Sequence, residues 1–288
     1  DYITLGEIRQ TDISTLFCAV KKTQNKKTTA LTYLIKKYNV DASEELIKNE
    51  ITISQTIEES CPSSVIIPVL ESFQENGVSC IVMQFRKNGM FLNDIIKYLE
   101  GKYGDGKIPL NITLEIIRGI LKSLSILHEY KYNGKKLGVL HLDLNPGNIF
   151  FESADPEKEH WGTVKFIDFG GSIDRQNKEE VLKGRNWHVF TRGYSAPEME
   201  DMIVSHILPS TDLYSVCACM LRMIVGSTFH EIKEESICKI LNKKYDPLIS
   251  DYIQAIVKNA SSCPSYYRYQ NAFQMEDDIN SLINFLSY

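Results

Sequence analysis

None of the seven cysteines falls in a Cys-x-x-Cys pair. That spacing usually opens a zinc or redox site, so neither chemistry is indicated. Cys217 and Cys219 stand two apart in an apolar run and read as reduced, packed thiols, which fits a cytoplasmic location. A long hydrophobic run is also missing. The longest, Leu213 to Val225, is short for a membrane span and carries Arg222. No signal peptide is visible at the start, and the chain begins at Asp1 rather than Met, so an excerpt of a longer protein is expected. Basic charge is not in excess either. The net charge of -5 argues against a general nucleic-acid binder.

What is present is a chain of 288 residues with 43% hydrophobic side chains, enough for a sizeable core. The first part, to about residue 84, alternates strand-like runs with one helix. Cys18-Ala19-Val20 and Leu31 to Ile35 are β-rich, with a polar turn at Thr23 to Lys27 between them. Asp41-Ala42-Ser43-Glu44 reads as a capping box that opens a helix through about Glu58. Val65 to Phe73 and Val78 to Phe85 read as strands joined by the hairpin turn Glu75-Asn76-Gly77. From Phe91 onward the pattern is mainly helical, with helices over 112–130, 212–226, 248–259 and 273–286. A short hairpin, Asn148 to Phe151 and Val164 to Ile167, flanks the loop Glu152 to Gly162.

The stretch His141-Leu142-Asp143-Leu144-Asn145-Pro146-Gly147-Asn148, followed by Asp168-Phe169-Gly170, carries the chemistry. An Asp, an Asn five positions on, and a second Asp after a hairpin form the pattern of a phosphoryl-transfer site. With these spacings the chain resembles a protein kinase catalytic domain over nearly its whole length. The resemblance implies an α+β, bilobal fold. Residues 1–84 would form a small β-rich lobe with one main helix, and residues 85–288 the hinge and a larger, mostly helical lobe. It also implies that Asp143 accepts the proton of the attacking hydroxyl, and that Asn148 and Asp168 hold Mg2+.

Lys36, in Leu34-Ile35-Lys36, matches the family's strand lysine. Its partner is legible from periodicity. Leu46, Glu50, Ile53 and Ile57 share one helical stripe, so Glu50 interrupts an apolar face and needs a cation. The resemblance gives the pair the α- and β-phosphates of ATP. It places Gly6 and Ile8 in the loop that covers the phosphates, although Gly6 is the one glycine left there, and it sets Asp12 near the nucleotide. Met83 would back the adenine pocket, and Gln84, Phe85 and Arg86 would meet the adenine edge. Thr191 to Glu198 resembles the end of an activation segment, with Thr191 beside the catalytic Asp. Glu198 is expected to pair with Arg268, and Asp212 to open the central helix. His141 reads as a scaffold residue.

Two positions depart from the family. Leu142 replaces the usual Arg before the catalytic Asp, which implies activity without loop phosphorylation. Asn145 replaces the Lys two after it, among the nucleotide-binding positions, and brings no charge. The implied activity is ATP- and Mg2+-dependent phosphorylation of Ser or Thr in protein substrates. No nucleic acid and no membrane are expected as partners. Two alternatives stand beside it: a pseudokinase scaffold, favoured by the eroded glycine loop, and a small-molecule kinase of the sugar or aminoglycoside type, favoured by Asn145.

Overall fold

The computed structural model describes residues 2–22, 32–60, 65–85, 88–129, 131–132, 135–136, 138–175, 178, 182 and 189–287. The polar turn expected at Thr23 to Lys27 lies outside them. The chain opens with β1 (Tyr2–Gln10), β2 (Ser14–Lys21) and β3 (Thr32–Tyr38). Helix α1 (Glu44–Ser60) follows, then β4 (Val69–Glu75) and β5 (Val78–Phe85). These strands form one antiparallel sheet of five in the order β1-β2-β3-β5-β4. The β4–β5 hairpin turns at Asn76 and Gly77, both at positive φ (52° and 78°), which is the backbone that a two-residue hairpin demands. Helix α1 buries Leu46, Glu50 and Ile57 and half-buries Ile53, the stripe read from its spacing.

The segment Val65–Pro68 departs from the strand expected there. It crosses to the second half of the chain instead. Ile66 makes a parallel bridge with Phe166, the Phe166 N–H donates to the Val65 carbonyl (2.8 Å), and the Ile67 N–H donates to the Phe166 carbonyl (3.1 Å). An apolar cluster runs the same way, joining Leu34, Leu46, Ile81 and Met83 to Phe150 and Ile167. The sheet is thereby tied to the segments around Phe150 and Ile167 by packing as well as by chain connection.

Next come β6 (Gly89–Phe91), α2 (Leu92–Tyr103), α3 (Leu110–His128) and a small pair, β7 (Lys131–Tyr132) and β8 (Lys135–Lys136). Then follow β9 (Val139–Leu140), β10 (Ile149–Glu152), β11 (Thr163–Phe166) and β12 (Ile173–Asp174). After them come α4 (Pro197–Glu200), α5 (Pro209–Val225), α6 (Glu234–Lys244), α7 (Pro247–Ser261) and α8 (Ala272–Leu286). Helix α3 packs on α5 and α8 around the largest core cluster. Helix α5 is buried over nearly its whole length, with Cys217 and Cys219 inside. Among the described residues, no helix is long and apolar enough to cross a membrane.

Candidate active site

Strand pairing builds the site. β10 pairs with β11 and β12 pairs with β9, so two loops emerge together: 141–148 between β9 and β10, and 167–172 between β11 and β12. Both loops bend sharply. Leu142 has φ +66° and Asp168 φ +70°, a conformation that costs a side-chain-bearing residue roughly 1–2 kcal/mol. Asp212, at the start of α5, offsets part of this cost. Its Oδ1 accepts from the Leu142 N–H (2.8 Å), and its Oδ2 accepts from the His141 N–H (2.9 Å) and meets His128 Nε2 (2.8 Å). Burial works against the Asp212 carboxylate, but His128, His141 and the backbone donor hold its pKa below the usual range.

His141 is fully engaged in place. Nε2 lies 3.0 Å from the Ile167 carbonyl, and Nδ1 accepts from the Asp143 N–H at 3.3 Å. Its ring packs on Phe169, with centroids 5.0 Å apart. Burial pushes its pKa down, so it stands as a neutral ring that shapes the loop.

Asp143 lies at the bottom of the cleft. Asn148 Nδ2 donates to its carbonyl (2.8 Å) and to its Oδ2 (3.0 Å). Thr191 Oγ1 donates to Oδ1, and Asn145 Nδ2 reaches Thr191 Oγ1 (3.2 Å) and Oδ1 (3.4 Å). Asn145 Oδ1 also accepts from the Gly147 N–H (2.9 Å), so this side chain braces the loop. Burial first, and then the charge of Asp168, push the Asp143 carboxyl up to about 6, against the pull of Thr191, Asn145 and Arg9. A carboxylate that titrates there is suited to accept a proton near neutrality.

Lys36 bridges two acids. Its Nζ lies 2.8 Å from Glu50 Oε2 and 2.6 Å from Asp168 Oδ1, with all three side chains largely buried. Burial disfavours the ammonium, but Asp168 and Glu50 outweigh it and hold the lysine above its ordinary pKa. Lys36 therefore carries a fixed positive charge into the cleft. Tyr38 completes the group by donating its hydroxyl to Glu50 Oε2, a contact that the sequence reading did not include. The signal was available, because residues two apart on a strand share a face.

The roof of the cleft corrects the sequence reading. In the β1–β2 ladder Glu7 pairs with Phe17, but the next pair is Arg9 with Leu16, so Ile8 is an extra, bulged residue. A bulge re-aims the side chain beside it. Leu16 faces inward and is buried, and Arg9 opposite it turns inward too. Ile8, expected over the nucleotide, is 37% exposed and lines a neighbouring depression with Phe91, Asn93 and Lys97. Gly6 is exposed, and a Cβ there would touch nothing, so close packing does not require a glycine. Arg9 instead donates from Nη2 to Asn148 Oδ1 at 2.9 Å. The acid expected near the nucleotide, Asp12, is exposed in the turn; from this loop the pocket around Lys36 and Asp168 takes Arg9 and Thr11.

Met83 is buried and lines that same pocket. The Gln84 side chain is exposed and faces a different depression beside Pro68 and Lys165, while its N–H points to the Pro68 carbonyl (3.4 Å). The Phe85 carbonyl accepts from Thr32 Oγ1 (2.8 Å). Part of the expected adenine-binding backbone is thus already bonded within the sheet. Arg86 lies outside the described residues.

The residues present fit magnesium and a nucleotide. Both Asn148 Nδ2 bonds go to Asp143, which leaves its amide oxygen, now accepting from Arg9 Nη2 (2.9 Å), as the atom that a metal would take. An amide oxygen and a carboxylate are hard donors that suit Mg2+, which is commonly held by one or two such groups together with substrate phosphates. The described residues contain no cluster of three or more His, Cys, Asp or Glu that would form an all-protein cage.

Below the site, Glu198 and Arg268 form the expected pair. Nη1 lies 2.7 Å from Oε1 and Nη2 2.8 Å from Oε2, a two-pronged contact buried on both sides. Thr211 Oγ1 adds a third donor to Glu198 Oε1 (2.8 Å).

This geometry agrees with the comparisons. The family model described as protein kinase domain matches residues 7–285. Mitogen-activated protein kinase kinase 1 of Arabidopsis thaliana is 26% identical over 219 residues, covering 75% of this chain and 51% of that protein. The probable serine/threonine-protein kinase zyg-1 of Caenorhabditis elegans is 26% identical over 180 residues, 62% of this chain and 22% of that protein. A probable myosin light chain kinase of Dictyostelium discoideum is 24% identical over 234 residues, 75% and 43% respectively. The chain thus spans about half or less of the length of these relatives. It belongs to the protein kinase domain family, with the bilobal kinase fold.

Proposed function

We propose that this chain transfers the terminal phosphoryl group of Mg2+-bound ATP to Ser or Thr hydroxyls of protein substrates. The observation that carries the proposal is the convergence on one cleft. Lys36 spans Glu50 and Asp168 while Asn148 grips Asp143, which supports a proton acceptor, a cation and metal-holding oxygens in one place. Bound Mg2+ would neutralise phosphate charge. Asn148 and Asp168 are the residues that would hold it. Lys36 would position the inner phosphates, and Asp143 would orient the acceptor hydroxyl and take its proton. Thr191, bonded to Asp143 and Asn145, supports the Ser/Thr preference, as does the printed name of zyg-1.

On this reading, residues 1–84 are the smaller lobe and residues 85–288 the hinge and larger lobe. The end of the five-stranded sheet at Phe85 supports that boundary. The six described cysteines are all free, which supports a reducing, cytoplasmic location.

The test is incubation with labelled ATP, Mg2+ and generic protein substrates beside an Asp143→Ala control. Label on Ser or Thr that disappears in the control is expected. One observation favours a second reading, a pseudokinase: the loop expected over the phosphates keeps Gly6 alone of its glycines and sends an arginine into the site. Absence of both label and nucleotide binding would establish that reading instead.

A further inference from the structure

The bulge at Ile8 turns one charged side chain from an otherwise exposed strand into the cleft. From Ile3 to Gln10, Arg9 is half-buried and its neighbours are exposed. Its guanidinium lies against Asn148 Oδ1 and close over Gly147, where an added Cβ would come within 1.8 Å of Nη1. Gly147 is not at positive φ, so what its missing side chain provides is room for the arginine. The charge of Arg9 acts on both Asp143 and Asp168, lowering the pKa of each. Together with Lys36 it is one of the two cations that line the pocket.

Two usual sources of phosphate stabilisation are missing from this chain. Glycines that would let backbone N–H groups close on phosphates are absent after Gly6, and Asn145 brings no charge where a lysine would stand. Asn145 is moreover occupied with Asp143, Thr191 and Gly147. A guanidinium presents a fork of donors that suits phosphate oxygens. We propose that Arg9 is a phosphate-contacting residue, which takes the outermost phosphate of a bound nucleoside triphosphate and supplies the charge that the loop and Asn145 lack. This rests on the nucleotide-binding reading of the cleft. It assigns Arg9 to the end of the triphosphate near Asp143, whereas Lys36 serves the inner phosphates.

The test compares the Mg2+ complexes of ATP and ADP by calorimetry in the whole chain, its Arg9→Ala and Arg9→Lys variants, and Gly147→Ala. Gly147→Ala should fold, since the far end of the Arg9 side chain must yield and Asn145 Oδ1, 3.2 Å from the added Cβ, must give by a few tenths of an ångström, and it should push the guanidinium out. Arg9→Ala should weaken ATP binding on the order of tenfold while leaving ADP within about twofold. Arg9→Lys should restore part of the loss, and Gly147→Ala should reproduce it. Equal losses for ATP and ADP would overturn the assignment. So would tighter ATP binding in Arg9→Ala, which would make the arginine an obstruction to be displaced. A wild-type chain that binds neither nucleotide would overturn the nucleotide-binding reading together with this one.

Discussion

Tyr38 donates its hydroxyl to the same oxygen of Glu50 that receives the Lys36 ammonium. The two residues share one face of β3, and Lys36 Nζ also lies 4.9 Å from the centre of the Tyr38 ring. Burial of Glu50 favours its neutral form, so each donor helps to keep the carboxylate charged. Tyr38→Phe keeps the ring in the core and deletes the donor. It should cost about 1.5–3 kcal/mol in denaturant unfolding, as for hydrogen bonds to charged groups. It should also lower kcat/KM several-fold by loosening Lys36. Unchanged unfolding and kinetics together would show that Lys36 alone holds Glu50.

A second expectation concerns pH. Asp143 titrates at about 6 in the fold, against an ordinary 3.8. As the proton acceptor it must be ionised, so kcat/KM of the wild type should fall below about pH 6, and the residual activity of Asp143→Asn should lack that limb. The stability effect has the opposite direction. The unfolded chain gives up this proton first, so the native state loses relative stability as pH rises from about 4 to 6. The stability of wild type relative to Asp143→Asn should decline over that window by up to about 3 kcal/mol. A difference that stays flat from pH 4 to 7 removes Asp143 as the shifted group.

Much of this site was legible because its residues answer to local rules. Glu50 stood out as a carboxylate on an apolar stripe, and its cation, Lys36, followed from the match of Leu34-Ile35-Lys36 to the family's strand lysine. The Asn76-Gly77 turn fixed the β4–β5 hairpin for the same reason, whereas α1 opens at Glu44, later than a cap at Asp41 would start it. Arg9 was not legible. One extra residue in β1 exchanges Ile8 for Arg9 on the inner face, and register depends on the partner strand rather than on composition. The crossing at Val65–Pro68 was read as a strand because its apolar run fits either role. Its hydrogen bonds go to Phe166, a hundred residues later in the chain.

The Glu198–Arg268 pair yields a stability prediction. Both side chains are buried, and Arg268 also donates from Nε to the Ser262 carbonyl at 2.7 Å. Removing one partner strands a buried charge. Arg268→Ala should therefore cost about 3–5 kcal/mol, and Arg268→Lys should also destabilise because it cannot make the two-pronged contact. Replacing both partners by apolar residues should recover part of the loss. Guanidinium unfolding of the two single variants and the double variant measures this directly. A cost under about 1 kcal/mol for Arg268→Ala would mean that water reaches Glu198.

Leu142 carries the last expectation. Where the family resemblance places an arginine able to bind a loop phosphate, this side chain is apolar and buried among Leu140, Ile173, Leu182, Met199 and Ile207. Four of these, Ile173, Leu182, Met199 and Ile207, come from the stretch after the Asp168 loop, so apolar packing ties that stretch to the 141–148 loop. Contacts of this kind are indifferent to phosphorylation, and Asp212 already holds the Leu142 backbone in its bent form. Protein treated exhaustively with phosphatase should therefore keep its turnover number within about twofold of the untreated sample, since no arginine waits there for a phosphate. Leu142→Ala, by contrast, should cost about 2–5 kcal/mol through the cavity it opens. A tenfold or greater fall in kcat after dephosphorylation, with the protein still folded, would show that some other cation reads a phosphate on this segment and that the apolar cluster does not set the active arrangement.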